Sequence, residues 1–275
     1  MKTGVGEPRG ILNHAAGKKK FQHERYQPSP KCSFFIQHFW IVEWDLVTPY
    51  VQEVLPHPSV HVVFENNASR IVGVMKGKFT RILLNRGLVF GIKFRPGAFY
   101  PFINVPVSRW TNKIIDLTPQ TRVFAGGAEI FGQEIKMLEN DILSQKNHLA
   151  MVERAEQFLT HKLPIQDENI TLVNRLVDFI MANREVTKVD DIVHQFNIHK
   201  RTLQRLFSQY VGVNAKWVIN RYRLHEVIER IAAGDTIDWS ALALELGYFD
   251  QAHFIKDFKS IVGKSPQEYK STTCD

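Results

Sequence analysis

Cysteine is nearly missing from this chain: two residues in 275, Cys32 and Cys274, at opposite ends. That count excludes a disulfide framework and a cysteine-built zinc site. No apolar run approaches the ~18 residues of a membrane span. The opening stretch MKTGVGEPRGILNHAAGKKK lacks the apolar core of a secretory signal, so a cytoplasmic location is expected. Also lacking are a Gly-x-Ser-x-Gly elbow, a His-Glu-x-x-His helix and a Gly-x-x-x-x-Gly-Lys-Ser/Thr phosphate loop, so no catalytic motif recommends an enzyme. The composition is that of a globular protein, 44% hydrophobic and 23% charged. The length allows one large domain or two ordinary ones.

Charge is unevenly spread. The net +7 and a pI near 9.3 suggest an anionic partner. Residues 1–164 carry +8 and residues 165–275 carry −1, so a nucleic-acid signal in the second part has to be local.

Texture divides the chain further. Residues 1–20, Gly-rich and basic with Lys18, Lys19 and Lys20, read as a flexible arm. From 34 to 117, short apolar runs such as Val60–Phe64 and Leu88–Phe94 are broken by Pro, Gly and Asn, as in a β domain. Residues 128–162 show helical spacing through Ile130, Ile135, Leu138, Ile142, Leu149, Val152, Phe158 and Leu159. Pro164 closes that stretch, and residues 165–275 read as helices. The expected fold class is α+β. An N-terminal domain over 21–164, a cupin-like barrel or sandwich with a helical connector, precedes an all-α domain over 165–275.

The all-α part contains one arrangement twice. In the first copy a helix at 191–196 is followed by Asn197-Ile198-His199 and a second helix at 200–210, ending near Gly212. In the second copy, 241–246 is followed by Gly247-Tyr248-Phe249 and 250–259, ending at Gly263. Ile192 matches Leu242, Phe196 matches Leu246, Leu203 matches Phe254 and Phe207 matches Phe258, at an offset of 50 to 51. Each copy has the spacing of a helix-turn-helix, with Leu203, Leu206 and Phe207, or Phe254 and Phe258, facing inward at i, i+3, i+4. Trp239 is expected in the core. One helix over 215–232 joins the copies. Between His199 and Leu224 lie Lys200, Arg201, Arg205, Lys216, Arg221 and Arg223 with no acidic residue, which is the local positive stripe.

The stretch Leu244–Lys259, then Val262-Gly-Lys-Ser-Pro-Gln-Glu-Tyr269, closely resembles the AraC/XylS family of bacterial transcription regulators. The shared features are a Gly-aromatic turn, a Phe in the recognition helix, and Gly-x-x-Pro-x-x-Tyr near the end. The resemblance covers roughly residues 171–270. It implies two recognition helices, 200–210 and 250–259, set in successive major grooves about one helical turn, ~10 bp, apart. The DNA-binding positions it implies are Lys200, Arg201, Gln204 and Arg205 in the first copy and Gln251, Ala252, His253 and Lys256 in the second. Lys216 and Arg221 would add phosphate contacts, while Arg221 and Arg223 have pairing with Glu226 as their alternative. Ala252 offers only apolar contact. Pro266 and Tyr269 read as structural.

For the N-terminal domain the resemblance implies a sensor or dimerisation role. Gly91–Phe99 and Leu55-Pro56 resemble poorly characterised front domains of such regulators. Candidate effector contacts are Trp40, Trp44, Phe94, Arg95 and Tyr100, with Phe99 and Phe102 in the same aromatic set. Expected partners are double-stranded DNA, RNA polymerase for an activator, a small effector and a second copy of the chain; no cofactor is expected. A metal site at His57, His61 and Glu65 fails on geometry. Residues four apart on a strand stand about 13 Å apart, too far for one ion with bonds of about 2.1 Å. The other readings are a ligand-binding or protein-interaction module that no longer binds DNA, and a DNA-tethered cupin-like enzyme.

Overall fold

The computed structural model describes residues 8–118, 123–125, 128–131 and 134–273. A short helix α1 (His14–Lys18) leads into β1 (Phe21–Tyr26), β2 (Ile36–Val54), β3 (His61–Phe64), β4 (Arg70–Val72) and β5 (Phe79–Phe94). After α2 (Tyr100–Ile103) and one 3-10 turn come β6 (Ile114–Asp116), β7 (Val123–Ala125) and β8 (Ala128–Phe131). Helices follow: α3 (Ile135–Leu143), α4 (His148–Thr160), α5 (Glu168–Ala182), α6 (Val189–Phe196), α7 (Lys200–Leu206), α8 (Ala215–Ala232), α9 (Trp239–Glu245), α10 (Gln251–Val262) and α11 (Pro266–Thr273).

Six strands form one antiparallel sheet in the order β1-β2-β5-β3-β4-β6. Its spine is the long β2/β5 pair, running from Ile36 opposite Phe94 to Val54 opposite Phe79 with register shifts between Ile36 and His38 and between Leu46 and Tyr50. Alternation then gives the sheet two different faces. One buries Tyr26, Phe39, Ile41, Val62, Phe64, Phe90, Ile92 and Phe94 in the main core with α3 and α4. The other carries a smaller cluster of Phe21, Trp44, Val63, Leu83 and Val89.

Three expectations need correction. Residues 128–131 are strand β8, paired with β7, not the start of a helix. Four residues bounded by Gly127 and Gly132 are too few to nucleate one. Within the expected flexible arm, residues 8–20 are fastened down: Leu12 is 1% exposed, Ile11 bridges to Val54, and Arg9 pairs with Glu229 of α8. The apolar Ile11-Leu12 step inside a basic stretch supplies the anchor. Residues 1–7 lie outside the described residues. The core also runs across residue 165. One apolar cluster joins the sheet to α5, α7 and the first half of α8, and a second joins Leu12 and Leu55 to the rest of α8 and α9 to α11.

Candidate nucleic-acid interface

Near the starts of α6, α8, α9 and α10 a side chain satisfies free backbone N–H groups, whereas α7 starts after His199 with no side-chain cap. Asp191 accepts from the backbone N–H of Lys188 at 2.8 Å and of Thr187 at 3.1 Å. Asn214 accepts from Trp217 N–H at 2.8 Å, and Asp238 from those of Ser240 and Ala241. Asp250 accepts from His253 N–H at 2.7 Å. The turns match as well. Asn197 after α6 has φ 48° and Gly247 after α9 has φ 78°, the left-handed conformation that only these two residue types adopt readily. Gly247 has a second reason to lack a side chain, since a Cβ there would lie 2.6 Å from Thr187 Cβ.

The inward residues are as the spacing predicts: Leu203, Phe207, Phe254 and Phe258 are 0–1% exposed. Trp239 is half-buried, stacked on Phe254, with its Nε1 donating to Gln267 Oε1 at 3.0 Å. α7 passes directly into a π-helical turn, Phe207–Val211, so the helical path covers the expected 200–210.

Lys200, Arg201, Gln204 and Arg205 are all exposed on α7. Lys200 pairs with Asp190 at 2.5 Å, and His199, Arg201, Thr202 and Arg205 line an open hollow. On α10, Ala252, His253 and Lys256 are exposed, while Gln251 is half-buried and accepts from Ser240 Oγ at 2.7 Å. The His253 ring meets Tyr248 edge-on at 5.3 Å. Sequence reasoning placed Phe249 only in the turn; it is 89% exposed immediately before α10. The signal was present in the aromatic pair, of which only Tyr248 packs inward, against Phe254 and Asp257.

The basic stripe splits at α8. Lys216 is exposed and donates to the Thr187 carbonyl at 3.0 Å. Arg221, expected on phosphate, is 1% exposed: its guanidinium lies 4.6 Å over the Trp217 ring and donates to the Lys76 carbonyl. Burial pushes its pKa down to about 10. The basic spacing of 199–223 gave no sign that the sheet domain covers this side of α8. Arg223 takes the pairing alternative, with Glu226 at 3.0 Å and the Ile180 and Asn183 carbonyls at the end of α5.

The effector candidates are not brought together. Phe94 is fully buried in the main core, whereas Trp44, 8% exposed and packed over Gly87, lines an open hollow with Lys18, Lys20, Phe21, Arg86 and Leu88. Arg95 donates to the Ser33 carbonyl at 2.8 Å, and Tyr100 packs on Tyr210 with ring centres 4.6 Å apart. Trp40 alone of the five sits beside unpartnered polar groups, donating to His61 Nδ1 at 3.1 Å. Of the rejected metal trio, His57 meets His225 of α8 edge-on and Glu65 pairs with Arg70 and Arg81.

Residues 192–272 match the family described as "Helix-turn-helix domain", and residues 24–116 match "Domain of unknown function (DUF6597)". YkgA of Escherichia coli (strain K12) is 28% identical over 102 residues, covering 36% of this chain and 41% of that one. YfiF of Bacillus subtilis (strain 168) is 23% identical over 145 residues, covering 50% and 46%. Both are named as HTH-type transcriptional regulators, and the chain spans less than half the length of either. Among solved structures, ToxT of Vibrio cholerae aligns over 92% of this chain and 98% of its own at 13% identity and TM-score 0.41. The C-terminal domain of AraT, a response regulator from Geobacillus stearothermophilus, aligns over 36% and 82% at 21% identity and TM-score 0.33. The chain thus carries a helix-turn-helix domain over residues 192–272, preceded by a domain of unknown function (DUF6597) over residues 24–116.

Proposed function

We propose that this protein is a sequence-specific, double-stranded-DNA-binding transcription regulator whose helices α7 and α10 enter successive major grooves, and whose sheet domain holds a small effector. The observation that carries the DNA reading is the pair of exposed faces, Arg201, Gln204 and Arg205 on α7 with His253 and Lys256 on α10, each backed by a buried apolar row. Arg suits guanine edges and Gln suits adenine. Lys200 and Lys216 supply sequence-independent, salt-dependent attraction to phosphate.

Selection from a random duplex pool, followed by salt-titrated binding of the enriched site, tests this. The expected result is a two-part motif with parts about 10 bp apart, weakened by both Arg205→Ala and His253→Ala. Enrichment of one part only would remove one helix from the reading. A chain that enriches no duplex, yet shifts its thermal stability with small molecules, would favour the ligand-binding module instead.

A further inference from the structure

The last turn residue before α10 is an apolar ring that the core does not take up. Phe249 is 89% exposed, and it does not join the apolar cluster that takes in Tyr248, Trp239 and Phe254. A hydrophobic residue one place before an N-cap often packs on the fourth residue of the helix and so fixes the angle of entry. Here Asp250 is the N-cap, which makes Phe254 that fourth residue. Tyr248 and Trp239 cover Phe254 instead, with ring centres 5.4 Å and 6.4 Å away. The structural use of an aromatic at this turn is therefore already filled, and Phe249 is left over.

The internal repeat gives its direction. The turns Asn197-Ile198-His199 and Gly247-Tyr248-Phe249 correspond residue by residue. Asn197 and Gly247 take the left-handed conformation, Ile198 and Tyr248 are half-buried against their cores, and His199 and Phe249 are exposed. His199 lines the open hollow of the first copy with Arg201, Thr202 and Arg205, the side that carries the base-reading candidates. By the same match Phe249 belongs with Ala252, His253 and Lys256, all exposed. Those three lie three, four and seven residues beyond it, the spacing of one helix face. The leading end of that face is apolar, Phe249 and Ala252, and the trailing end carries the nitrogen groups of His253 and Lys256.

A phenyl ring forms no conventional hydrogen bond and gains nothing beside a phosphate. The apolar feature that base pairs present in a major groove is the C5-methyl group of thymine. Ring and methyl leave water together when they meet, which is the gain open to an exposed aromatic. We propose that Phe249, with Ala252 beside it, reads thymine methyl groups in the half-site taken by α10. This contact rests on the DNA-binding reading given above and adds a sequence preference that the hydrogen-bonding side chains do not supply.

Equilibrium binding of the full chain to the selected duplex tests it, using copies in which single thymines are replaced by deoxyuridine. That replacement removes the methyl and leaves every hydrogen-bonding group in place. In the part of the motif that His253→Ala relaxes, one or two neighbouring thymines should each lose about two- to fourfold in affinity as deoxyuridine, the contribution of burying one methyl. Phe249→Ser should bind thymine and deoxyuridine equally at those positions, keep any methyl effect in the other part, and melt as the unaltered chain does. Phe249→Leu should retain the discrimination, since it keeps an apolar side chain at that place. Absence of any methyl effect in that part on the unaltered chain overturns the contact without recourse to a variant. A methyl effect that persists in Phe249→Ser also overturns it, and an unaltered affinity in that variant would assign the ring to a protein partner instead. Each of these results leaves the DNA-binding reading in place, whereas a chain that enriches no duplex removes both.

Discussion

Arg205 and Arg221 belong to one basic stripe in the sequence and sit in opposite surroundings in the fold. Arg205 is exposed on α7, free to reach a base edge, and Arg221 is 1% exposed under the sheet domain. Replacing Arg205 with Ala should cost about 1–3 kcal/mol of binding to the selected duplex and relax preference at one base position. Competition binding with base-substituted duplexes reads both effects. Arg221→Ala should instead lower folding stability by about 1–3 kcal/mol, because it empties a packed position over Trp217 and leaves the Lys76 carbonyl without its donor. The slope of log affinity against log salt should not change. A slope shallower by about 0.9 would mean that Arg221 neutralises a phosphate.

At the scale of the element, the two turns differ in how much they tolerate. Gly247→Ala should destabilise by more than about 1 kcal/mol in urea unfolding, from the positive φ and from the approach of Thr187. Asn197→Gly should have little effect, since the turn after α6 already adopts φ 48° with a side chain in place. These turns were legible because a helix-turn-helix is written in consecutive residues, with capping and apolar spacing all local. The strands were legible for the same reason; β5 ends at Phe94, just before Arg95-Pro96-Gly97. The surroundings of Lys93, which is 6% exposed between His38 of β2 and His61 of β3, were not. Its neighbours come from strands far apart in sequence, and a lysine inside Leu88–Phe94 carries no local mark of which face receives it. The one available clue was His38-x-Trp40, polar and aromatic residues at strand spacing in an otherwise apolar run.

Buried nitrogen bases set an acid limit on the sheet. Burial is the largest influence holding His38 at about 2, His61 and His225 at about 3 and His23 at about 4, each below the ordinary value of 6.5. Below pH 6.5 the unfolded chain binds protons at these positions before the folded one does, so stability falls as the pH drops. Each histidine contributes a slope of up to about 1.4 kcal/mol per pH unit down to its folded value. Melting temperature should therefore decline steeply between pH 6.5 and 4, and His38→Asn should flatten that decline. For Lys93 the same linkage makes stability rise between pH 7 and 10.5.

On the scale of the whole molecule, the two halves are tied at many points. The Arg9–Glu229 ion pair joins the N-terminal segment to α8, and His225 Nε2 lies 3.0 Å from the Leu55 carbonyl. Lys78 Nζ donates to the Val262 carbonyl at 3.0 Å, and Thr111 Oγ1 to that of Gly212 at 2.6 Å. Together with the apolar cluster that crosses residue 165, these contacts predict one cooperative unfolding event. Calorimetric and van't Hoff enthalpies should agree, and two resolved transitions would show the halves to be energetically separate.

Those ties act on α8, the 18-residue helix between the two copies. At 1.5 Å per residue it is a bar about 27 Å long, gripped by the sheet domain near its middle through Arg221 and near its far end through Glu229. A gripped bar does not twist to suit its substrate. On the DNA reading proposed above, with α8 between α7 and α10, the molecule becomes a gauge of phase along the duplex: one added base pair between half-sites turns the second by roughly 34° about the DNA axis. Such a site should bind far more weakly than one with two altered base pairs outside the half-sites, and ten added base pairs should restore the phase without restoring the reach.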